Sequence, residues 1–218
     1  MAFIFGILGF LGGILCAIGD VLFDYKSKLN EKLGRDKLIE RDWADMAKWR
    51  FKLSIGLATI GVPLFALGLM SLAMQLAENN SLFATIFWLI SLVGITGGTF
   101  IHIMLCCFPI IYKTMLAKGC TFDQIEATLS DLYHAVKIPF FSLYFCLVIV
   151  PSIAVSYAIV VNYLALPNWT ISLMPVSLMV IGGLLRVVKQ DWFANFPGII
   201  MPSLGMGLLG LLAAIHAL

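Results

Sequence analysis

Charged residues are scarce: they make up 12% of the 218 residues, where a soluble domain carries about 25%. With 61% hydrophobic residues and a mean hydropathy of +1.00, the surface cannot all face water. The alternating polarity that a membrane β-barrel needs over segments of about ten residues is missing as well. The five cysteines form no CxxC pair, and none falls in an outer loop. That leaves no disulfide framework, and they read as small apolar packing residues. Histidine is limited to His102, His134 and His216, widely spread and without an HExxH pair. No metal site and no cofactor is therefore expected. No GxSxG elbow marks a serine nucleophile, and the ten methionines read as packing. Asn168-Trp169-Thr170 fits a glycosylation sequon, but nothing else implies a glycosylating compartment.

What is present is a set of long, nearly uncharged runs. Spanning the hydrocarbon takes about 20 apolar residues per helix, and six spans can be drawn, at 2–24, 53–77, 82–111, 138–161, 170–188 and 198–218. The runs are too long for barrel strands, so helices are expected. Residues 2–23 follow no basic region and precede no small-residue cleavage site, so the first helix is expected to stay as an anchor. The fold class is all-α: one domain over 1–218, a polytopic six-transmembrane-helix bundle with short cytoplasmic amphipathic helices. An inverted repeat of three plus three spans is formally open, but only the glycine content of spans one and six speaks for it.

The fourteen Lys and Arg residues all lie in or beside the first, third and fifth connections; the second and fourth have none. The positive-inside rule then puts those three connections in the cytoplasm and both termini outside. Topology accounts for the basic loop, and no nucleic-acid role is expected. In that loop, Leu38, Ile39, Trp43, Met46 and Trp49 follow helical spacing. They suggest an amphipathic helix on the inner membrane surface with Arg41, Lys48 and Arg50 toward headgroups, or the same apolar stripe packed on the protein. Thr121 is a plausible N-cap for a short cytoplasmic helix with Phe122, Ile125, Leu129, Leu132 and Val136 on one face. That helix is expected to lead into the fourth span at Pro139, an N1-type proline. Trp88, Trp169 and Tyr163 read as outer-belt aromatics, and Trp49, Trp192 and Tyr112 as inner ones.

Polar groups inside the spans are few and patterned. Gly6, Gly9, Gly13, Cys16, Asp20 and Asp24 fall on one helix face, by steps of three or four residues. Small residues permit close helix contact, so this edge faces protein and brings Asp20 and Asp24 inward. Ser91, Gly94, Gly98, His102, Cys106 and Pro109 form a similar face in the third span, and Ser54, Ala58, Gly61, Phe65 and Gly68 one in the second. In the last span Gly198, Pro202 and Gly205 line up, with His216 at the outer end. At a rise of about 1.5 Å per residue, Asp20 lies roughly one turn and His102 about two turns above the inner boundary. Arg50, Lys52, Tyr112, Arg186 and Asn195 fall near the same level. A pocket could gather them, with Asp20 and His102 as the acid–base pair and Asp24, Arg50, Tyr112, Arg186 and Asn195 as binding groups. Read structurally instead, Asp20 is a buried partner for Arg50, Lys52 or Arg186, and His102 makes a helix-to-helix hydrogen bond.

Gly19-Asp20 closing a glycine-rich first helix, Trp49-Arg50 before Gly56 and Gly61-Val62-Pro63, and Gly97-Gly98 ahead of His102 resemble a group of bacterial six-span proteins known only as a domain of unknown function. The resemblance covers most of the chain. It implies a bacterial plasma-membrane protein and carries no activity. More distantly, Asp20 and His102 are similar in kind to groups in the membrane hydrolases that include alkaline ceramidases. The histidine cluster of those enzymes is missing here, so their sites are not carried over.

Three readings of function follow. The leading one is a membrane protein that binds a small molecule or lipid in a cytoplasm-facing polar cavity, with membrane lipids as its partners. The second is a membrane-embedded enzyme acting on a lipid headgroup through His102 and Asp20. The third is a proton-coupled transporter with Asp20 as the titrating group.

Overall fold

The structure is a computed structural model that describes residues 1–189, 195 and 197–218. Trp192, read above as an inner-belt aromatic, lies outside the described residues. The chain runs through α1 (Ala2–Asp24), a two-stranded hairpin of β1 (Lys32–Leu33) and β2 (Ile39–Glu40), and a 3-10 turn at Arg41–Ala44. Then come α2 (Lys48–Asn79), α3 (Ser81–Ala117), α4 (Phe122–Tyr144), a π turn at Phe145–Ile149 and α5 (Val150–Val160). A 3-10 turn at Asn168–Leu173, α6 (Pro175–Val188) and α7 (Met201–His216) complete it.

Among the described residues, five helices are long and apolar enough to cross a bilayer, with α4, the π turn and α5 forming one continuous helix, Phe122–Val160. They mark a multi-pass membrane protein. Large apolar side chains on their outer faces stay exposed, among them Ile4, Ile60, Leu89 and Ile153, as a lipid-facing surface requires. The expected fifth span is shorter than its apolar run. Pro175 starts α6, the preceding residues fold as a 3-10 turn, and the helix has 14 residues. That is about 21 Å against a hydrocarbon core of about 30 Å.

Backbone contact builds the centre. An ideal Cβ added at Gly6 would sit 2.5 Å from the Ala214 nitrogen, and one at Gly12 would sit 2.5 Å from the Gly61 carbonyl oxygen. So α1 lies directly against both α7 and α2, with glycine opposing glycine at Gly9–Gly68 and Gly13–Gly207. The α1 edge read from the sequence therefore faces protein. On α7, however, Gly207 and Gly210 meet α1, while Gly205 turns to Pro175 of α6.

Two cores result. One lies within the bundle, around Phe65, Leu69, Leu72, Val155 and Leu209. The other is set at the lysine-bearing end, around Ile39, Trp43, Met46, Phe51, Tyr112, Ile125 and Leu129. It exists because α3 has 37 residues, about 55 Å, well beyond the hydrocarbon. Its end and the start of α4 project together, and residues 25–47 wrap them.

Three expectations are corrected, two of them by that wrapping. Ile39, Trp43 and Met46 are buried on protein, but not as one face of a long helix. Gly34 adopts a left-handed backbone (φ +83°) and turns the chain into the hairpin, where a side chain would also strike the Glu126 carboxylate. Tyr112 is not a belt aromatic: it is buried edge-on against Trp43, with ring centroids 6.1 Å apart. Pro139 is inside α4, not at its start. The Thr121 cap does form, as a reciprocal capping box with Gln124, and the helix then runs on through the proline.

The π turn has a local cause. Pro151 offers no N–H to the Leu147 carbonyl four residues earlier, and the helix widens over Phe145–Ile149; beside it, Ser152 Oγ donates to the Val148 carbonyl at 2.6 Å. The widened turn packs on Gly94 and Gly98 of α3.

Candidate functional site

Asp20 and His102 line one cavity of about 210 Å³, with walls from α1, α2, α3, the π turn and α7. The glycine contacts seat α1 deeply enough to turn Asp20 toward α7, where its Oδ2 accepts a hydrogen bond from Ser203 Oγ at 2.5 Å. Its Oδ1 lies 3.7 Å from His102 Nδ1. On the other edge of the imidazole, Nε2 lies 2.6 Å from Ser54 Oγ. Ser54 in turn donates to the Gly19 carbonyl at 2.8 Å. Phe23 packs edge-on against the ring, and Leu147 and Val148 of the π turn supply apolar wall. Such widened turns occur often at functional sites.

Donor counting constrains the proton. Ser54 has one hydroxyl proton and gives it to Gly19 O, so its oxygen is left to accept from Nε2–H. Nδ1 then carries a lone pair aimed at a carboxylate oxygen. At 3.7 Å the two stand beyond hydrogen-bond distance, so the contact is electrostatic, and one proton can rest on either partner, as imidazolium with carboxylate or as imidazole with carboxylic acid. Tautomers are assigned by this kind of network argument. The arrangement can hold one proton and pass it to a group in the cavity.

The remaining predicted residues divide. Asp24 lines the cavity and is ion-paired with Lys26, which also reaches Glu40 at 3.3 Å. Asn195 ties the segment after α1: its Oδ1 accepts from the Lys26 amide (3.1 Å) and its Nδ2 donates to the Lys26 carbonyl (2.6 Å). Tyr112 belongs to the second core, and Arg186 is exposed on α6; neither lines the cavity. Arg50, Lys52 and Arg186 make no ion pair with Asp20, so the cationic partner expected on the structural reading is absent among the described residues. The helix-to-helix bond expected of His102 is present, to Ser54. Ser203 was missed. It stands beside Pro202 on the small-residue face of α7, and a lone serine there carries no sign of its partner.

Arg50 points to the end of α1, not to headgroups. Its Nε donates to Leu22 O at 2.9 Å, and its Nη2 donates to Tyr25 O at 2.8 Å and Val21 O at 3.4 Å. The last carbonyls of a helix lack partners within it, and a guanidinium suits the negative dipole end. Arg50→Gln should lower stability by about 1–2 kcal/mol and speed amide exchange over Phe23–Lys26. Unchanged exchange there would show the contacts to be idle.

At the opposite end lies a separate polar knot. His216 Nδ1 and Gln75 Oε1 are hydrogen-bonded, Gln75 Nε2 donates to Ala213 O at 2.9 Å, and Ser71 Oγ donates to Ala2 O at 2.8 Å. Along α2 and α7, fully buried Leu69, Leu72 and Leu209 separate it from the cavity.

No curated protein and no solved structure matches this chain. A model described as a family of unknown function, DUF6796, matches residues 2–218, and the chain belongs to that family.

Proposed function

We propose that this protein binds a small molecule or a membrane lipid in the Asp20–His102 cavity, with the pair presenting a proton to the bound polar group. The carrying observation is that two ionisable side chains from different helices meet at 3.7 Å in one cavity that no lysine or arginine among the described residues lines. Ionisable groups at such depth mark functional sites by default. The setting we infer is a six-span protein of a bacterial plasma membrane, with α6 and its preceding turn as the fifth span. Both termini lie outside, and the lysine-bearing end faces the cytoplasm.

The test is extraction of co-purifying small molecules from the full chain, followed by mass spectrometry, for wild type, Asp20→Asn and His102→Gln. Both variants should fold, with Asp20→Asn costing little stability in a wet cavity, and should lose the bound species at least tenfold. Variants that retain it as wild type does would end this reading. Collapse of Asp20→Asn alongside a folded His102→Gln that still holds the species would assign Asp20 a structural role.

A second reading, an enzyme acting on a lipid headgroup, draws on the order Ser54–His102–Asp20, which has the connectivity of a serine hydrolase relay. Ser54 is fully buried and its proton goes to Gly19 O, so Ser54 is not the nucleophile. On that reading His102 and Asp20 would activate water. Proton-coupled transport is the least supported, because the leucines between the cavity and the far polar knot interrupt any polar path.

A further inference from the structure

A second opening of about 400 Å³ adjoins the cavity, and the two share Phe23, Asp24 and Leu105. Its rim carries Lys26, Lys32, Lys37 and Lys137. Its floor and far wall are apolar, with Met104, Leu105, Phe108, Phe140 and Phe141. Phe141 is 57% exposed and the nearby Ile138 72%, so the apolar wall runs out onto the lipid-facing side of α4.

The charges around the rim are unevenly matched. Asp24 and Glu40 both engage Lys26, and Lys137 donates to His134 Nδ1 at 3.1 Å. Lys32 stands opposite Glu40 in the hairpin register, but that carboxylate is held by Lys26 and Asn30. On the neighbouring face Asp36 accepts from Ser130 and lies near His134, and Glu126 accepts from the Arg35 amide. Lys32 and Lys37 are exposed and pair with no carboxylate among the described residues. Trp43, in the groove wall and 4% exposed, keeps its indole N–H without an acceptor. Buried donors ordinarily find a partner.

We infer that this groove binds an anionic phospholipid: its phosphate meets Lys32 and Lys37, and an acyl chain lies along Phe108, Phe140 and Phe141 out to the bilayer. A soluble anion would leave the aromatic wall without purpose, and a zwitterionic lipid would gain little from unpaired ammonium groups. Basic pockets beside spans bind lipid headgroups by this combination. The site uses residues other than Asp20 and His102, so it stands or falls apart from the cavity.

The experiment takes the full chain in detergent and measures binding of phosphatidylglycerol and of phosphatidylcholine with the same acyl chains by native mass spectrometry, with glycerol 3-phosphate as a soluble competitor. Wild type should prefer phosphatidylglycerol, and Lys32→Gln/Lys37→Gln should weaken that lipid about thirty-fold while leaving phosphatidylcholine unchanged. Asp20→Asn should keep the preference. Equal binding of the two lipids by wild type, or undiminished phosphatidylglycerol binding by the double variant, would overturn the site. Glycerol 3-phosphate binding as tightly as the lipid would overturn it in favour of a soluble anion. Both lysines are exposed, so the double variant is expected to fold, and its melting temperature checks this.

Discussion

Gly12→Val is expected to destabilise the folded bundle strongly. A Cβ at this position would sit 2.5 Å from both the Gly61 carbonyl oxygen and the Phe65 nitrogen. Both are backbone atoms inside α2, so neither can move aside without parting α1 from α2. Overpacking a core typically costs about 1–3 kcal/mol; here the obstacle is a rigid helix rather than a side chain, which puts the cost at the top of that range or above it. Native proteins hold only about 5–15 kcal/mol in total. Gel filtration and thermal melting in detergent should show aggregated or early-melting protein. Gly56→Ala is the matched control. Nothing lies within 4 Å of a Cβ there, and alanine is favoured over glycine in a helix by up to about 1 kcal/mol. A Gly12→Val protein that elutes and melts like wild type would mean that α1 is not seated where the site requires.

Trp43→Ala should release residues 25–47 while the bundle stays folded. Trp43 is 4% exposed and packs on Tyr112 in the core at the lysine-bearing end. Removing a buried Trp costs about 3–5 kcal/mol, and Trp43 is the largest side chain of this segment in that core, beside the smaller Ile39 and Met46. Lys113 donates to the Trp43 and Ala44 carbonyls, bonds that an alanine backbone would retain but could not anchor. Limited trypsin digestion should cut faster at Lys28, Lys32, Arg35 and Lys37, with the membrane helices still protected. Because Trp43 also walls the lysine groove, phosphatidylglycerol binding should fall with it. Digestion at the wild-type rate would place the anchor of this segment elsewhere.

The inner edge of α1 could be read directly, since glycines and acids three and four residues apart leave little choice of face. His102 was legible for the same reason. What escaped was pairing. Ser54 was read as part of an inward face of α2, yet its bond to His102 depends on how far α3 slides along α2. Ser203 depends on the rotation of α7, which Gly207 and Gly210 set by meeting α1 while Gly205 meets α6. Arg50 reads from the sequence as a partner for Asp20, but carbonyls at the end of α1 lay within reach and satisfied it first. Tyr112, expected near the same level, is drawn instead into the core at the lysine-bearing end, beyond the reach of the cavity. The apolar stripe from Ile39 to Met46 fits a hairpin followed by a tight turn as well as it fits a helix, and Gly34 decided between them.

Run length and the position of charge determined, without coordinates, that helices cross a membrane and that one end carries the lysines. Both follow from local rules: backbone polar groups must be satisfied within each helix in hydrocarbon, and ammonium groups stay out of it. Tertiary structure alone decided that Asp20 meets His102 and Ser203, that Arg50 closes α1, and that a lysine-rimmed groove adjoins the cavity. Those depend on the relative rotation and axial shift of packed helices, which close contact between glycine faces sets and which no single helix encodes.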